Sequence, residues 1–172
     1  IINILNMDDY KSNIIYLLGL SGGCYTILKY LSNKSLLKPK QLKSSILISS
    51  SPNIEKNILD MNSLLSTRIN YSIVKSINLF KNDYNLKFND SLYTTIGKIG
   101  IKNNNLNSYK DYYNTLNVLN TQLNNIEIPI IFLNSEDDNI AHIKYLKEYI
   151  NDYSENTNFN YLITKFGWHG LF

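Results

Sequence analysis

Several residue types are scarce in this chain of 172 residues, and each scarcity excludes something. Cys24 is the only cysteine, so an internal disulfide is impossible and a reducing, intracellular compartment is expected. No apolar run approaches the roughly 18 residues needed to cross a bilayer. The net charge is only +3 and the lysines form no basic block, which argues against nucleic acid as the main partner.

Alanine, arginine and glycine are also rare, whereas asparagine, lysine, isoleucine and tyrosine are abundant. The abundant types have A/T-rich codons, so nucleotide bias explains the Asn-rich patches and we assign them no function. The same bias makes each retained glycine informative. Three of the seven glycines surround one serine, in the stretch Gly19-Leu20-Ser21-Gly22-Gly23.

The length of 172 residues suits one domain, and 44% hydrophobic residues is enough for a core. Short apolar runs alternate with helical patterns over most of the chain. Strands are predicted over 13–18, 45–49, 128–134 and 159–164, helices over 25–31 and 143–150, and the end of a further helix over 1–10. This alternation is typical of a parallel sheet covered by helices on both faces, an α/β fold.

Residues 53–125 interrupt the alternation. The segment 68–80 places Ile69, Ile73 and Ile77 at helical spacing, and turns rich in Asn, Tyr and Lys are predicted after it. We expect a mostly helical insertion, or cap, over one end of the sheet rather than a second domain.

The stretch around Ser21 has the Gly-x-Ser-x-Gly pattern of a nucleophile elbow, between a predicted strand and a predicted helix. A serine in this turn projects its hydroxyl from the tip of the strand. Side chains at Gly19 and Gly23 would be expected to collide with the strand and helix. The backbone N–H of Gly22, at the positive end of the helix, could bind a developing oxyanion. A plain tight turn or a phosphate-binding loop is the alternative.

A nucleophilic serine needs a base and an acid that orients the base. The chain has two histidines, His142 and His169, and His169 follows the last predicted strand in a Gly-flanked loop. Asp138 follows the strand predicted over 128–134. The order Ser21, Asp138, His169 is that of α/β-hydrolases, so these three residues are the predicted catalytic triad.

Other residues that could belong to a catalytic site are more simply explained by structural roles. Asp137 competes with Asp138 for the role of the acid, but it could cap the next helix or face solvent. Cys24 is expected to be a small buried residue, and Ser49 to Ser51 a turn. The histidines and carboxylates show no metal-ligand spacing, and the proposed chemistry needs neither a metal nor a cofactor.

Several stretches resemble the YheT-like branch of the α/β-hydrolases, over about residues 14–172. That branch includes medium-chain fatty acid ethyl ester synthase/esterases and acylglycerol and phospholipid lipases. "GLSGG" with "TILKYL" resembles the elbow, and "TRINYSIVKSINLF" the cap helix. "SYKDYYNTLNVLNTQLNNIEIPIIFLNSEDDNIA" resembles the stretch that carries the acid, and "NYLITKFGWHGLF" the last strand and histidine loop.

The resemblance implies Ser21 as nucleophile, His169 as base and Asp138 as acid, because "DNIA" is spaced like the acid turn of the family. Gly22 and Trp168 depart from the pattern, standing where the family has a bulky residue and a glycine. The implied activity is hydrolysis of carboxylic esters of acyl lipids, or transfer of the acyl group to an alcohol. Family members often carry a membrane anchor, which would lie outside this chain.

The family has strands before the elbow, and one of their loops supplies the second oxyanion donor. We therefore expect residues 1–172 to be the C-terminal part of one α/β-hydrolase domain, with an exposed sheet edge and no activity alone. The alternatives are a non-catalytic binding protein of the same fold and an inactive fragment. The sequence specifies neither the acyl chain, the head group nor the oligomeric state.

Overall fold

The computed structural model describes residues 13–80, 84–118, 120–152 and 157–170. Four strands lie in these residues: β1 (Ile15–Leu20), β2 (Leu42–Ile48), β3 (Ile130–Ser135) and β4 (Phe159–Thr164). The helices are α1 (Gly22–Ser32), α2 (Ile54–Asp60), α3 (Ser63–Phe80), α4 (Leu92–Asn104), α5 (Tyr109–Leu116), α6 (Asn120–Leu123) and α7 (Ile143–Asp152). The helix predicted over 1–10 lies outside the described residues.

The chain forms two compact units. Among the described residues, the first comprises those up to Pro52 and those from Val118 onward, and it contains the four strands with α1, α6 and α7. The second, Asn53–Asn117, contains α2 to α5. Among the described helices, none is both long and apolar enough to cross a membrane.

The four strands of the first unit form a parallel sheet in the order β1-β2-β3-β4. Leu18 pairs with Ile46, and Ile46 pairs with Ile131 on the next strand. The predicted parallel α/β architecture is therefore confirmed. Because all strands run the same way, their carboxyl ends lie along one edge of the sheet, where ligands usually bind in such folds.

One face of the sheet carries the core of this unit. Leu47, Ile130 and Phe132 are almost fully buried there, in a cluster that includes Leu28 of α1 and Leu146 of α7. Burial of each such side chain contributes about 1.5–3 kcal/mol.

The opposite face is apolar but exposed. Leu18 is 68% exposed, Leu162 56% and Ile46 37%. The predicted cover of helices on both faces is therefore wrong for the described residues. The crossovers from β1 to β2 and from β3 to β4 advance in the same direction across the sheet. Since both are expected to be right-handed, α1 and α7 lie on the same face.

Some predicted boundaries change. Strand β1 continues through Gly19 and Leu20, which were expected in the turn. Residues 92–104 and 109–116 are helical where turns were predicted. The Oγ atoms of Ser91 and Ser108 accept backbone N–H groups three residues later and cap these helices.

Glycines allow α4 and α5 to approach closely in the second unit. A Cβ on Gly97 would lie 2.8 Å from the Tyr109 ring, and a Cβ on Gly100 would lie 2.3 Å from the Tyr112 ring. The mostly helical character predicted for this region is confirmed.

Candidate active site

Ser21 occupies a strained turn between β1 and α1. Its φ is 51° and its ψ is −120°, a conformation that costs a non-glycine residue on the order of 1–3 kcal/mol. The backbone N–H of Ser21 donates to the carbonyl of Ile48 at 2.9 Å. Serine before a helix usually caps it, but this hydroxyl makes no capping hydrogen bond. The turn therefore leaves Oγ free for another partner.

The glycines beside Ser21 differ in their steric role. A Cβ on Gly19 would lie 3.0 Å from Cys24 Cα and 3.0 Å from Ile27 Cδ1, so the predicted collision is confirmed there. A Cβ on Gly23 would meet no atom within 4 Å outside the backbone of its own helix among the described residues, so the collision predicted for Gly23 is not found there. Gly23 lies in the exposed first turn of α1, as does Gly22, whose Cβ would also meet nothing.

The structure brings Ser21, His169 and Asp138 together. His169 Nε2 lies 2.7 Å from Ser21 Oγ, and His169 Nδ1 lies 3.0 Å from Asp138 Oδ2. Each residue follows the carboxyl end of a different strand, Ser21 after β1, Asp138 after β3 and His169 after β4. The parallel sheet thus places residues 148 positions apart within hydrogen-bond distance.

Asp138 is buried, and its carboxylate accepts several hydrogen bonds. Its Oδ1 accepts the backbone N–H groups of Ile140 and Ala141, both at 2.8 Å. Burial raises the pKa of Asp138. Hydrogen bonds from His169 and from these two N–H groups lower the pKa by more than burial raises it, so the net shift is downward. Asp138 is therefore a carboxylate at neutral pH. A carboxylate can only accept, so Nδ1 of the ring donates to it, and Nε2 of a neutral ring accepts the Ser21 hydroxyl.

The other candidates for the acid and the base make different contacts. Asp137 Oδ1 accepts the backbone N–H of Trp168 at 2.9 Å. His142 directly precedes α7, and its ring packs edge-on against Tyr145. Glu136 is exposed and pairs with Lys147 at 3.4 Å. The structure places His169 and not His142 against Ser21.

Cys24 is fully buried three residues after Ser21, as predicted. Its Sγ donates to the carbonyl of Ile48 at 3.3 Å, and burial raises the pKa of the thiol to about 11. Cys24 is therefore a protonated thiol near neutral pH. Over the described residues, no group of three or more His, Cys, Asp or Glu side chains could hold a metal ion.

Two serines that bind the histidine loop were missed by the sequence analysis. Ser135 Oγ donates to the carbonyl of Trp168 at 2.8 Å, and Ser49 Oγ accepts the backbone N–H of Gly170 at 2.8 Å. Both stand at the carboxyl ends of strands, Ser135 as the last residue of β3 and Ser49 directly after β2. A serine at the carboxyl end of a strand, beside the predicted site, was the feature of the sequence that could have identified both residues.

No protein-family model matches the sequence, and no curated protein sequence is significantly similar to it. Solved structures are similar. An esterase from Pyrococcus furiosus has a TM-score of 0.54 and 13% identity, over 98% of this chain and 51% of the esterase. A lipase-esterase related protein from Clostridium acetobutylicum has a TM-score of 0.54 and 18% identity, over 96% and 63%.

An acylaminoacyl peptidase from Pyrococcus horikoshii has a TM-score of 0.56 and 14% identity, over 98% of this chain and 22% of the peptidase. The fold is that of an α/β-hydrolase. At these identities the likeness concerns the α/β-hydrolase fold alone, and the chain spans about half the length of the Pyrococcus furiosus esterase.

Proposed function

We propose that the protein is a serine hydrolase that cleaves carboxylic esters of acyl lipids. The observation that carries this proposal is the continuous hydrogen bonding from Ser21 through His169 to Asp138, at 2.7 and 3.0 Å. Both distances lie in the range required of a nucleophile, its base and the group that orients the base. The strained backbone of Ser21 supports the proposal, because such strain is typical of functional sites.

The proposed reaction begins with attack of Ser21 Oγ on the ester carbonyl carbon. His169 Nε2 accepts the hydroxyl proton as the new C–O bond forms and the carbonyl becomes a tetrahedral oxyanion. His169 then gives that proton to the leaving alcohol as the original ester bond breaks, which leaves an acyl group on Ser21. Water then attacks the acyl carbon as His169 Nε2 takes its proton; the bond from the acyl carbon to Ser21 Oγ breaks, His169 returns the proton to Oγ, and the acid is released. An alcohol in place of water would give acyl transfer.

Gly22 is the proposed oxyanion donor. It is the first residue of α1, so its N–H belongs to the positive end of that helix. Gly22 is exposed over the described residues, so its N–H lies at an accessible position in the first turn of α1. One such donor contributes about 2.7–4 kcal/mol to transition-state stabilisation in another serine hydrolase.

Apolar side chains next to the triad in sequence support an acyl substrate. Leu20 precedes Ser21 and is 48% exposed, and Trp168 precedes His169 and is 67% exposed. Phe166, in the same loop as Trp168, is also exposed. The resemblance of the elbow and the histidine loop to the YheT-like branch favours the same substrate class, with residues 53–125 as the cap of the domain.

The test is labelling of the purified full-length protein with a fluorophosphonate probe. We expect covalent labelling that Ser21→Ala abolishes and that Ser35→Ala, at an exposed loop serine, leaves intact. A series of p-nitrophenyl esters and acyl amides then defines the substrate, and added ethanol tests acyl transfer. A folded protein that shows neither labelling nor turnover would instead be a non-catalytic member of the fold.

A further inference from the structure

The segment that carries His169 is held by its backbone at three points. Asp137 Oδ1 accepts the N–H of Trp168 at 2.9 Å, and Ser135 Oγ donates to the carbonyl of the same residue at 2.8 Å. Ser49 Oγ accepts the N–H of Gly170 at 2.8 Å. Side chains at the ends of β2 and β3 thus fix the peptide groups on both sides of His169.

Trp168 needs this support because its backbone is in the left-handed region, with φ at 47°. This region is disfavoured for a bulky residue and is kept only where the surroundings impose it. The side chain of Trp168 is mostly exposed and supplies little packing of its own. The hydrogen bonds to its N–H and carbonyl are therefore the contacts that hold the conformation.

The two adjacent aspartates bind different parts of the histidine loop. Asp138 binds the ring of His169 at Nδ1, whereas Asp137 binds the backbone one residue earlier. Partial burial raises the pKa of Asp137, but hydrogen bonds, of which that from Trp168 N–H is the largest, shift it downward overall. Asp137 is therefore a carboxylate at neutral pH, and hydrogen bonds to a charged acceptor are roughly twice as strong as neutral ones.

We propose that Asp137 is a positioning residue of the site, which acts through the backbone N–H of Trp168 to set His169 Nε2 against Ser21 Oγ. Ser135 assists it at the carbonyl of the same residue. The expected effect on turnover rests on the proposed hydrolase function, whereas the expected effect on the loop does not.

The test compares Asp137→Ala with Asp137→Asn. Alanine removes the acceptor, and a displacement of about 1 Å in a catalytic group lowers kcat by about 10²-fold. The KM is expected to stay unchanged, because Asp137 contacts no substrate in the proposed reaction. Asparagine keeps an oxygen in the same place and is expected to restore most of kcat. If asparagine were as damaging as alanine, an oxygen acceptor for the Trp168 N–H would not be enough to position the loop, and the proposal would be wrong.

Hydrogen exchange at the Trp168 amide gives a readout that needs no turnover. By NMR, this amide should be protected in the wild type and in Asp137→Asn, and should exchange faster in Asp137→Ala. Glu136→Ala, at an exposed neighbour, is the matched control and should change neither readout. If Asp137→Ala fails to fold, Ser135→Ala tests the backbone of the same residue, Trp168, from its carbonyl side and should also lower kcat.

Unchanged kcat and unchanged exchange in a folded Asp137→Ala would overturn the proposal. If the wild type has no hydrolase activity but the exchange result is as expected, the proposed function fails while the role of Asp137 in placing the loop stands.

Discussion

Asp137 and Asp138 are neighbours in the chain, but their carboxylates bind the histidine loop at different atoms. Asp138 Oδ2 lies 3.0 Å from the ring nitrogen Nδ1 of His169, and Asp137 Oδ1 lies 2.9 Å from the backbone nitrogen of Trp168. Only Asp138 contacts the ring in this way, so only Asp138 can determine which ring nitrogen carries the proton.

This difference predicts unequal effects of the same substitution. Asp138→Asn should remove most of the turnover, because an amide cannot hold the ring in the tautomer that accepts the Ser21 proton. The loss is about 10⁴ in kcat in a well-studied triad. Asp137→Asn should lose little, because its amide oxygen can still accept the Trp168 N–H. The measurement is kcat on a p-nitrophenyl ester with the full-length protein. Equal losses would leave the acid unassigned.

Two glycines of the elbow, Gly19 and Gly23, are expected to differ in how much a substitution by alanine lowers the free energy of unfolding. Gly19→Ala places a Cβ 3.0 Å from the backbone Cα of Cys24, which cannot move aside as a flexible side chain could. Overpacking of this kind typically costs about 1–3 kcal/mol. Gly23→Ala has open space and a helical backbone, and should be neutral or stabilising by less than about 1 kcal/mol. Urea unfolding followed by Trp168 fluorescence measures both, and equal destabilisation would contradict the prediction.

The sequence was most informative where the pattern is local. Ser21, Asp138 and His169 each follow an apolar run and precede a turn or helix, and those runs are β1, β3 and β4. Because parallel strands end along one edge, locating three strand ends in the sequence predicts that the residues after them lie near one another.

Features that depend on distant parts of the chain could not be predicted in the same way. That α1 and α7 lie on the same face of the sheet follows from the order of the strands and the handedness of the crossovers, neither of which leaves a local pattern. The bond from Gly170 N–H to Ser49 Oγ joins residues 121 positions apart. The helices α4 and α5 were missed although Ser91 and Ser108 cap them. Gly97 and Gly100 interrupt the pattern of α4, since glycine is a poor helix former, and polar residues dominate α5.

Close packing of α4 on α5 predicts a coupling between glycine and tyrosine. A Cβ at position 100 would lie 2.3 Å from the Tyr112 ring, so Gly100→Ala should destabilise the second unit by about 1–3 kcal/mol. Tyr112→Ala removes the ring that the new methyl would strike. The two changes together should cost less than the sum of the single changes, by about 0.5–3 kcal/mol. Circular dichroism during urea unfolding measures all four proteins, and strict additivity would exclude the steric explanation.

The lowered pKa of Asp138 predicts how stability depends on pH. The folded pKa lies below the unfolded value of 3.8, so the folded state binds fewer protons than the unfolded state between these two values. The stability contributed by ionised Asp138 is therefore fully present well above pH 3.8 and is lost as the pH falls through the folded pKa. The slope from one such group is at most about 1.4 kcal/mol per pH unit.

Asp138→Asn tests this directly, because the variant has no proton to take up at this position. The free energy of unfolding of the wild type should fall more steeply than that of the variant as the pH is lowered from about 5. His169→Ala removes the largest of the contacts that lower the pKa of Asp138, and should move the acid transition to higher pH. Urea unfolding at a series of pH values, followed by Trp168 fluorescence or by circular dichroism, measures these curves. Parallel curves for the wild type and Asp138→Asn would show that the carboxylate of Asp138 is not stabilised in the folded protein.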